Sequence, residues 1–182
     1  MRKSEVPEIL LKMFLPNRMV TSPYVITPEQ LQRNGIKVVF TDLDNTLIAW
    51  DDEAAPEQLH NWIKELKTAG IELTIVSNNN EERVSKFAEE IGVPFVYRAK
   101  KPLNSGFKRA MRIYAVRRDE VAMIGDQLLT DILGGNRARL FTILVQPVKQ
   151  SDAWNTKINR QIEKLIVSLL KRKNPLKWED TL

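Results

Sequence analysis

A largely apolar run, Ile36-Lys37-Val38-Val39-Phe40-Thr41, ends on two carboxylates, Asp42 and Asp44, with Leu43 between them. The run lacks the apolar/polar alternation of a half-exposed strand, so it reads as a strand buried on both faces. A strand of that kind belongs inside a parallel sheet with helices on either side. Carboxylates delivered at its end are costly to desolvate, and no obvious basic partner lies nearby in the sequence. Such a pair is kept where a cation or a reaction needs it.

The rest of the chain repeats the theme. Pro56 opens a helix that places Leu59, Trp62, Ile63 and Leu66 on one face, and Gly70 ends it. A second strand spans Ile71 to Val76. Glu81 to Ile91 follows as a helix showing Val84, Phe87, Ala88 and Ile91, stopped by Gly92. Pro94 to Tyr97 is a short third strand, and Asn104 or Ser105 caps a helix carrying Phe107, Met111 and Tyr114. Val121 to Ile124 is a fourth strand, a helix runs from Gln127 to near Asn136, and Leu140 to Val145 is a fifth strand. Strands alternating with helices predict a three-layer, Rossmann-like α/β fold around a central, mainly parallel five-stranded sheet. In such sheets ligands sit beyond the strand C-termini at a topological switch point. Asp42 and Asp44, Ser77 and Asn78, Lys101, and Asp126 and Asp131 all fall at that edge.

Composition narrows the chemistry. The chain has 182 residues, no cysteine and one histidine, His60, which lies beside an apolar helix face. Thiolate chemistry is excluded, and a histidine triad or zinc site is disfavoured, which leaves carboxylates and lysine. The net charge of +5 is uneven. Arg98, Lys100, Lys101, Lys108, Arg109, Arg112, Arg117 and Arg118 crowd one stretch without an acid among them, a pattern that attracts anions or forms a solvated face. No apolar stretch approaches the ~18 residues of a membrane span, and Pro7, Glu8, Lys12 and Pro16 interrupt any leader core. The expected location is cytoplasmic, with peripheral membrane contact compatible.

The boundary residues divide the chain into a lead-in (1–35), a core (36–150) and a tail (151–182). In the lead-in, Glu8 to Phe14 suits a short helix ended by Pro16, and Thr27-Pro28-Glu29-Gln30-Leu31 reads as a helix start with Thr27 as cap. In the tail, Trp154, Ile158, Ile162, Leu165, Ile166 and Leu169 recur at helical spacing. That face suits docking on the sheet or the lead-in, or contact with a membrane or partner.

A phosphate ester at the strand edge would find a full set of groups. Asp42, directly off its strand, is placed to attack phosphorus and form an aspartyl-phosphate. Asp44 can protonate the leaving oxygen and then take a proton from water. Mg2+ held by Asp42, Asp126 and the backbone carbonyl of Asp44 would supply countercharge. Lys101 would neutralise the phosphoryl oxygens and the nucleophile, and Ser77 with the Asn78 backbone amide would donate to another oxygen. Asp131 would orient Lys101 or a metal-bound water, and Thr46 would fix the loop.

Four ordered segments carry a family resemblance: Asp42-Leu43-Asp44-Asn45-Thr46-Leu47, Thr74-Ile75-Val76-Ser77-Asn78-Asn79, Lys101-Pro102, and Gly125-Asp126-Gln127-Leu128-Leu129-Thr130-Asp131. Together they resemble the haloacid dehalogenase (HAD) superfamily of phosphatases over roughly 36 to 145. The resemblance implies a HAD-like fold, an aspartyl-phosphate mechanism and Mg2+ dependence. Lys101 rather than Lys100 takes the lysine role because Pro102 follows it. Only a short flap fits between Leu47 and Pro56, and one helix and one strand between Ser77 and Lys101, so no cap domain is expected. The chain resembles a capless bacterial subfamily (IIIA) similar to mitochondrial phosphatidylglycerophosphate phosphatases, with Phe14-Leu15-Pro16 and Gly35-Ile36-Lys37 adding to the match. This implies a bulky or lipid phosphomonoester as substrate. A nucleotide or nucleic-acid end phosphatase and a non-catalytic phosphate-sensing module are the alternatives, the second disfavoured by Asp44.

Overall fold

A computed structural model describes residues 11–52, 54–149, 166–168, 170, 178, 179 and 182. Six strands among these form one sheet: β1 (Arg18–Val20), β2 (Val38–Thr41), β3 (Glu72–Val76), β4 (Phe95–Val96), β5 (Val121–Gly125) and β6 (Phe141–Val145). Their spatial order is β1-β6-β5-β2-β3-β4, and every pairing is parallel. The expected five-strand count is therefore corrected to six. β1 lies in the lead-in and pairs with β6, with Arg18 opposite Ile143. Three residues flanked by Asn17 and Thr21 are too short to show a strand period, which is why the pattern conceals it.

Helices α1 (Pro28–Arg33), α2 (Glu57–Thr68), α3 (Glu81–Ile91), α4 (Asn104–Met111) and α5 (Leu133–Ala138) connect or flank the strands. Thr27 caps α1 in a reciprocal capping box with Gln30. Asn80 caps α3, and Gly92 ends it with φ +65°, a left-handed turn that a side chain resists. The stretch after Gln127 opens with a π-helical turn, Leu128–Ile132, before α5.

Alternate residues of the central strands face opposite layers, as the strand period of two requires. Val39, Ala122 and Ile124 join a cluster with Leu59, Trp62 and Phe87. Val38, Phe40, Val121 and Met123 join one with Phe107 and Ala110. These two clusters are the cores above and below the sheet. A third cluster brings Ile166 and Leu170 of the tail against Leu11, Met19, Leu128, Ile132 and Leu144. The described part of the tail thus docks on the lead-in and the sheet edge. Glu179 also donates its N–H to the Met19 carbonyl at 2.8 Å. Trp154, Ile158, Ile162, Leu165 and Leu169 lie outside the described residues, as does the lead-in before Leu11. No helix among the described residues is long and apolar enough to cross a membrane.

A polar network joins the lead-in to β6. Asn17 Oδ1 accepts from the Thr142 N–H at 2.8 Å, and Asn136 Nδ2 donates to the carbonyls of Met13 (2.8 Å) and Leu15 (2.9 Å). Thr142 Oγ1 lies 2.9 Å from Asn136 Oδ1. Asn136→Ala strips two carbonyls and a hydroxyl of their partner, so we expect a loss of about 2 kcal/mol. The check is a lower midpoint in urea unfolding.

Candidate functional site

The strand order reverses at β2. The chain runs outward through β3 and β4, then returns to β5 on the other side of β2. This is the switch point at which open α/β sheets bind ligands. Register brings the polar residues together there. Thr41 is level with Ile75 of β3 and Ile124 of β5, so Asp42, Ser77 and Asp126 emerge side by side at the strand ends.

Asp42, Asp126 and Asp131 are buried and offer carboxylate oxygens within 4.8 Å of one another. Lys101, also buried, reaches this group from beyond β4. Its Nζ lies 3.0 Å from Asp42 Oδ1 and 2.7 Å from Asp131 Oδ1. Burial works against the ammonium, but Asp131 and Asp42 outweigh it and hold the Lys101 pKa above the ordinary lysine value. Burial pushes the Asp131 carboxyl up to about 6 against the pull of Lys101. Lys100, by contrast, is exposed.

Three carboxylates therefore face one ammonium in a site shielded from water. Among the described residues, Asp42 Oδ1 and Asp131 Oδ1 meet Lys101 and no other donor. Such an excess of buried negative charge on oxygen donors fits a hard divalent cation such as Mg2+. Both oxygens of Asp131 are engaged: Oδ1 holds Lys101 and Oδ2 accepts the Gln127 N–H at 3.1 Å.

Supporting contacts fix each group. Thr46 is fully buried and donates to Asp126 Oδ1 at 3.2 Å. Asn45 makes the turn after the strand at φ +63°, a conformation Asn tolerates better than most residues. Three successive asparagines follow Ser77, each with a separate task. The Asn78 side chain brackets the Lys101 main chain, accepting its N–H at 2.7 Å and donating to its carbonyl at 3.0 Å. Asn79 donates to Asp44 Oδ2 at 2.9 Å, and its own N–H lies 3.2 Å from Ser77 Oγ. Asn80 caps α3 by accepting the Arg83 N–H at 2.9 Å.

The Asp44 side chain stands apart from the buried cluster. It pairs with Arg83, whose Nε and Nη2 lie 3.2 and 3.1 Å from Oδ1. Burial raises the Asp44 pKa, opposed by hydrogen bonds from Asn79 and by Arg83. Arg83 is the site residue that sequence reasoning missed. It lies 39 positions from its partner and reads in isolation as a polar residue on a helix surface. The one available signal is its place in the first turn of the helix that follows Ser77. Arg137 and Arg139 sit at the end of α5, which leads into the start of β6, so they occupy the opposite edge of the sheet.

Residues 27–139 match the haloacid dehalogenase-like hydrolase family. The chain belongs to that family. This HAD-like hydrolase is 49% identical over 172 residues to a Bacillus subtilis protein named probable phosphatase YqeG, covering 94% of this chain and all of that one. It is 30% identical over 168 residues to an Arabidopsis thaliana protein named phosphatidylglycerophosphate phosphatase 1, covering 87% of this chain but 47% of that longer protein. Among solved structures, a possible sugar phosphatase of the HAD superfamily from Cytophaga hutchinsonii shares the fold at a TM-score of 0.51 and 13% identity, over 77% of this chain and 94% of that one.

Gly125 is the position where the HAD site tolerates no side chain. A Cβ there would stand 2.2 Å from Asp131 Oδ2 and 2.4 Å from its Cβ. Gly125→Ala must push Asp131 aside. We expect a cost of about 1–3 kcal/mol in denaturant unfolding, together with a longer Lys101–Asp42 separation in a crystal structure of the variant. An unchanged unfolding midpoint would contradict the packing described.

Proposed function

We propose that this HAD-family phosphatase is a Mg2+-dependent phosphomonoester hydrolase that works through an aspartyl-phosphate on Asp42. The observation that carries the reading is the buried Lys101 ammonium 3.0 Å from Asp42 Oδ1 at the switch point. A carboxylate attacking a phosphate needs cations at close range, and a lysine held there is fully charged.

The other roles follow from position. Asp42 forms the bond to phosphorus while the ester oxygen departs. Asp44 protonates that oxygen, then deprotonates the water that cleaves the intermediate. Asp44 is less buried than Asp42, as a group that meets the leaving alcohol should be. Lys101 draws charge from the phosphoryl oxygens and pairs with Asp42, while Asp131 holds the ammonium in place. Ser77 Oγ and the Asn78 backbone amide donate to a phosphoryl oxygen. Mg2+, held by Asp42, Asp126 and the Asp44 backbone carbonyl, would supply countercharge to the phosphate.

The reading extends to a bulky substrate, a lipid phosphomonoester such as phosphatidylglycerophosphate. Two observations support it. The segment between Leu47 and Pro56 is too short to form a covering domain, which leaves room for a large substrate. The Arabidopsis relative carries a phosphatidylglycerophosphate phosphatase name. A nucleic-acid end is less suited. The basic stretch divides between two edges of the sheet, with Arg98 and Lys100 after β4 and Arg117 and Arg118 before β5.

The test is phosphate release in Mg2+ from phosphatidylglycerophosphate in mixed micelles, beside soluble phosphomonoesters. We expect turnover that chelation by EDTA abolishes and added Mg2+ restores. Asp42→Asn and Asp44→Asn are near-isosteric and should each lower activity about 100-fold or more with an unchanged circular dichroism spectrum. Wild-type activity in Asp42→Asn removes the nucleophile assignment. Turnover confined to soluble esters removes the lipid.

A further inference from the structure

A guanidinium carries five N–H groups in one rigid fork. Arg83 directs most of them at two places at once. Nε and Nη2 meet Asp44 Oδ1, while Nη1 donates to the Asp52 carbonyl at 2.6 Å and Nη2 to the Ala49 carbonyl at 3.4 Å. Asp44 and two carbonyls of the flap thus hang on one side chain. Arg83 is itself set by the Asn80 cap, and the other oxygen of Asp44 is taken by Asn79. The Arg83 side chain is only 20% exposed. With at most one N–H left over, it is a bracket, not a ligand for substrate.

We infer that Arg83 is a positioning residue that aims the Asp44 carboxyl at the leaving oxygen and ties that aim to the flap segment Ala49–Asp52. The inference rests on the reading of Asp44 as acid and base. Its chemistry has a distinctive consequence. An alkyl alcohol leaves as a strongly basic alkoxide unless a proton arrives in time, so a misdirected acid is felt in full. A nitrophenolate leaves without that proton, so the same misdirection is hardly felt. In both cases the bond from Asp42 to phosphorus forms as the ester oxygen departs. The proton goes from Asp44 to the alkoxide in the first case and stays on Asp44 in the second.

The test compares kcat/KM for glycerol phosphate and p-nitrophenyl phosphate, because this ratio reports only the steps up to departure of the leaving group. Arg83→Ala should lose about 100-fold on the alkyl ester and no more than a few-fold on the aryl ester, and guanidinium ion in solution should restore part of the alkyl activity. Arg83→Lys keeps the stem and charge but loses the fork, so it should show the same selectivity in milder form. It also serves if Arg83→Ala fails to fold. Equal losses on both esters, or none on either, overturn the inference. Asp44→Asn is run on the same pair of esters. If it separates them and the Arg83 variants do not, Arg83 has no positioning role and the acid assignment stands. If Asp44→Asn does not separate them, the acid assignment falls and the inference with it.

Discussion

A lysine ammonium buried between two carboxylates organises this molecule. Lys101 lies out of water between Asp42 and Asp131, and a charge in that position is tolerable only if its partners are held within hydrogen-bonding range. Each partner comes from a different element: Asp42 from the end of β2, Asp131 from the π-helical turn after β5. Lys101 itself comes from the loop after β4. The parallel register is therefore not a neutral scaffold. A slip of one residue in β2 against β5 would send the Asp42 side chain to the other face of the sheet and leave the ammonium without its second carboxylate.

The loop after β3 performs the equivalent service for the more exposed side of the site. Asn78 fixes the Lys101 main chain, Asn79 fixes one oxygen of Asp44, and Asn80 fixes the helix turn that carries Arg83. Three side chains of the same kind in a row thus connect both halves of the site. Amides suit this task, since each offers a donor and an acceptor without adding charge to a region that already has too much.

Much of this arrangement is legible in the amino-acid sequence. β2, β3 and β5 are apolar along almost their whole length, and helices between them show apolar faces at regular spacing. The parallel sheet and the placing of Asp42, Ser77, Asp126 and Asp131 on one edge follow from that pattern. Pro102 distinguishes Lys101 from Lys100. What escapes the pattern depends on distance along the chain. β1 has three residues, too few for any period, and is a strand only because β6 lies beside it. Arg83 meets Asp44 across 39 positions, and its helix register looks like that of any surface residue. The amide groups of Asn78 and Asn79 read as loop polarity, and their tasks become visible only once β3 and β4 are side by side.

The margins of the sheet have a consequence for how this protein behaves in a crowded solution. A long bare strand at either side would invite pairing with another chain. Here one outermost strand has two residues, Phe95 and Val96, and the other has three, with the Met19 carbonyl already taken by the Glu179 N–H. Little unsatisfied backbone is left on which a neighbouring molecule could add a strand. A sheet that gathers its polar groups at one end of the strands thereby avoids being sticky along its sides.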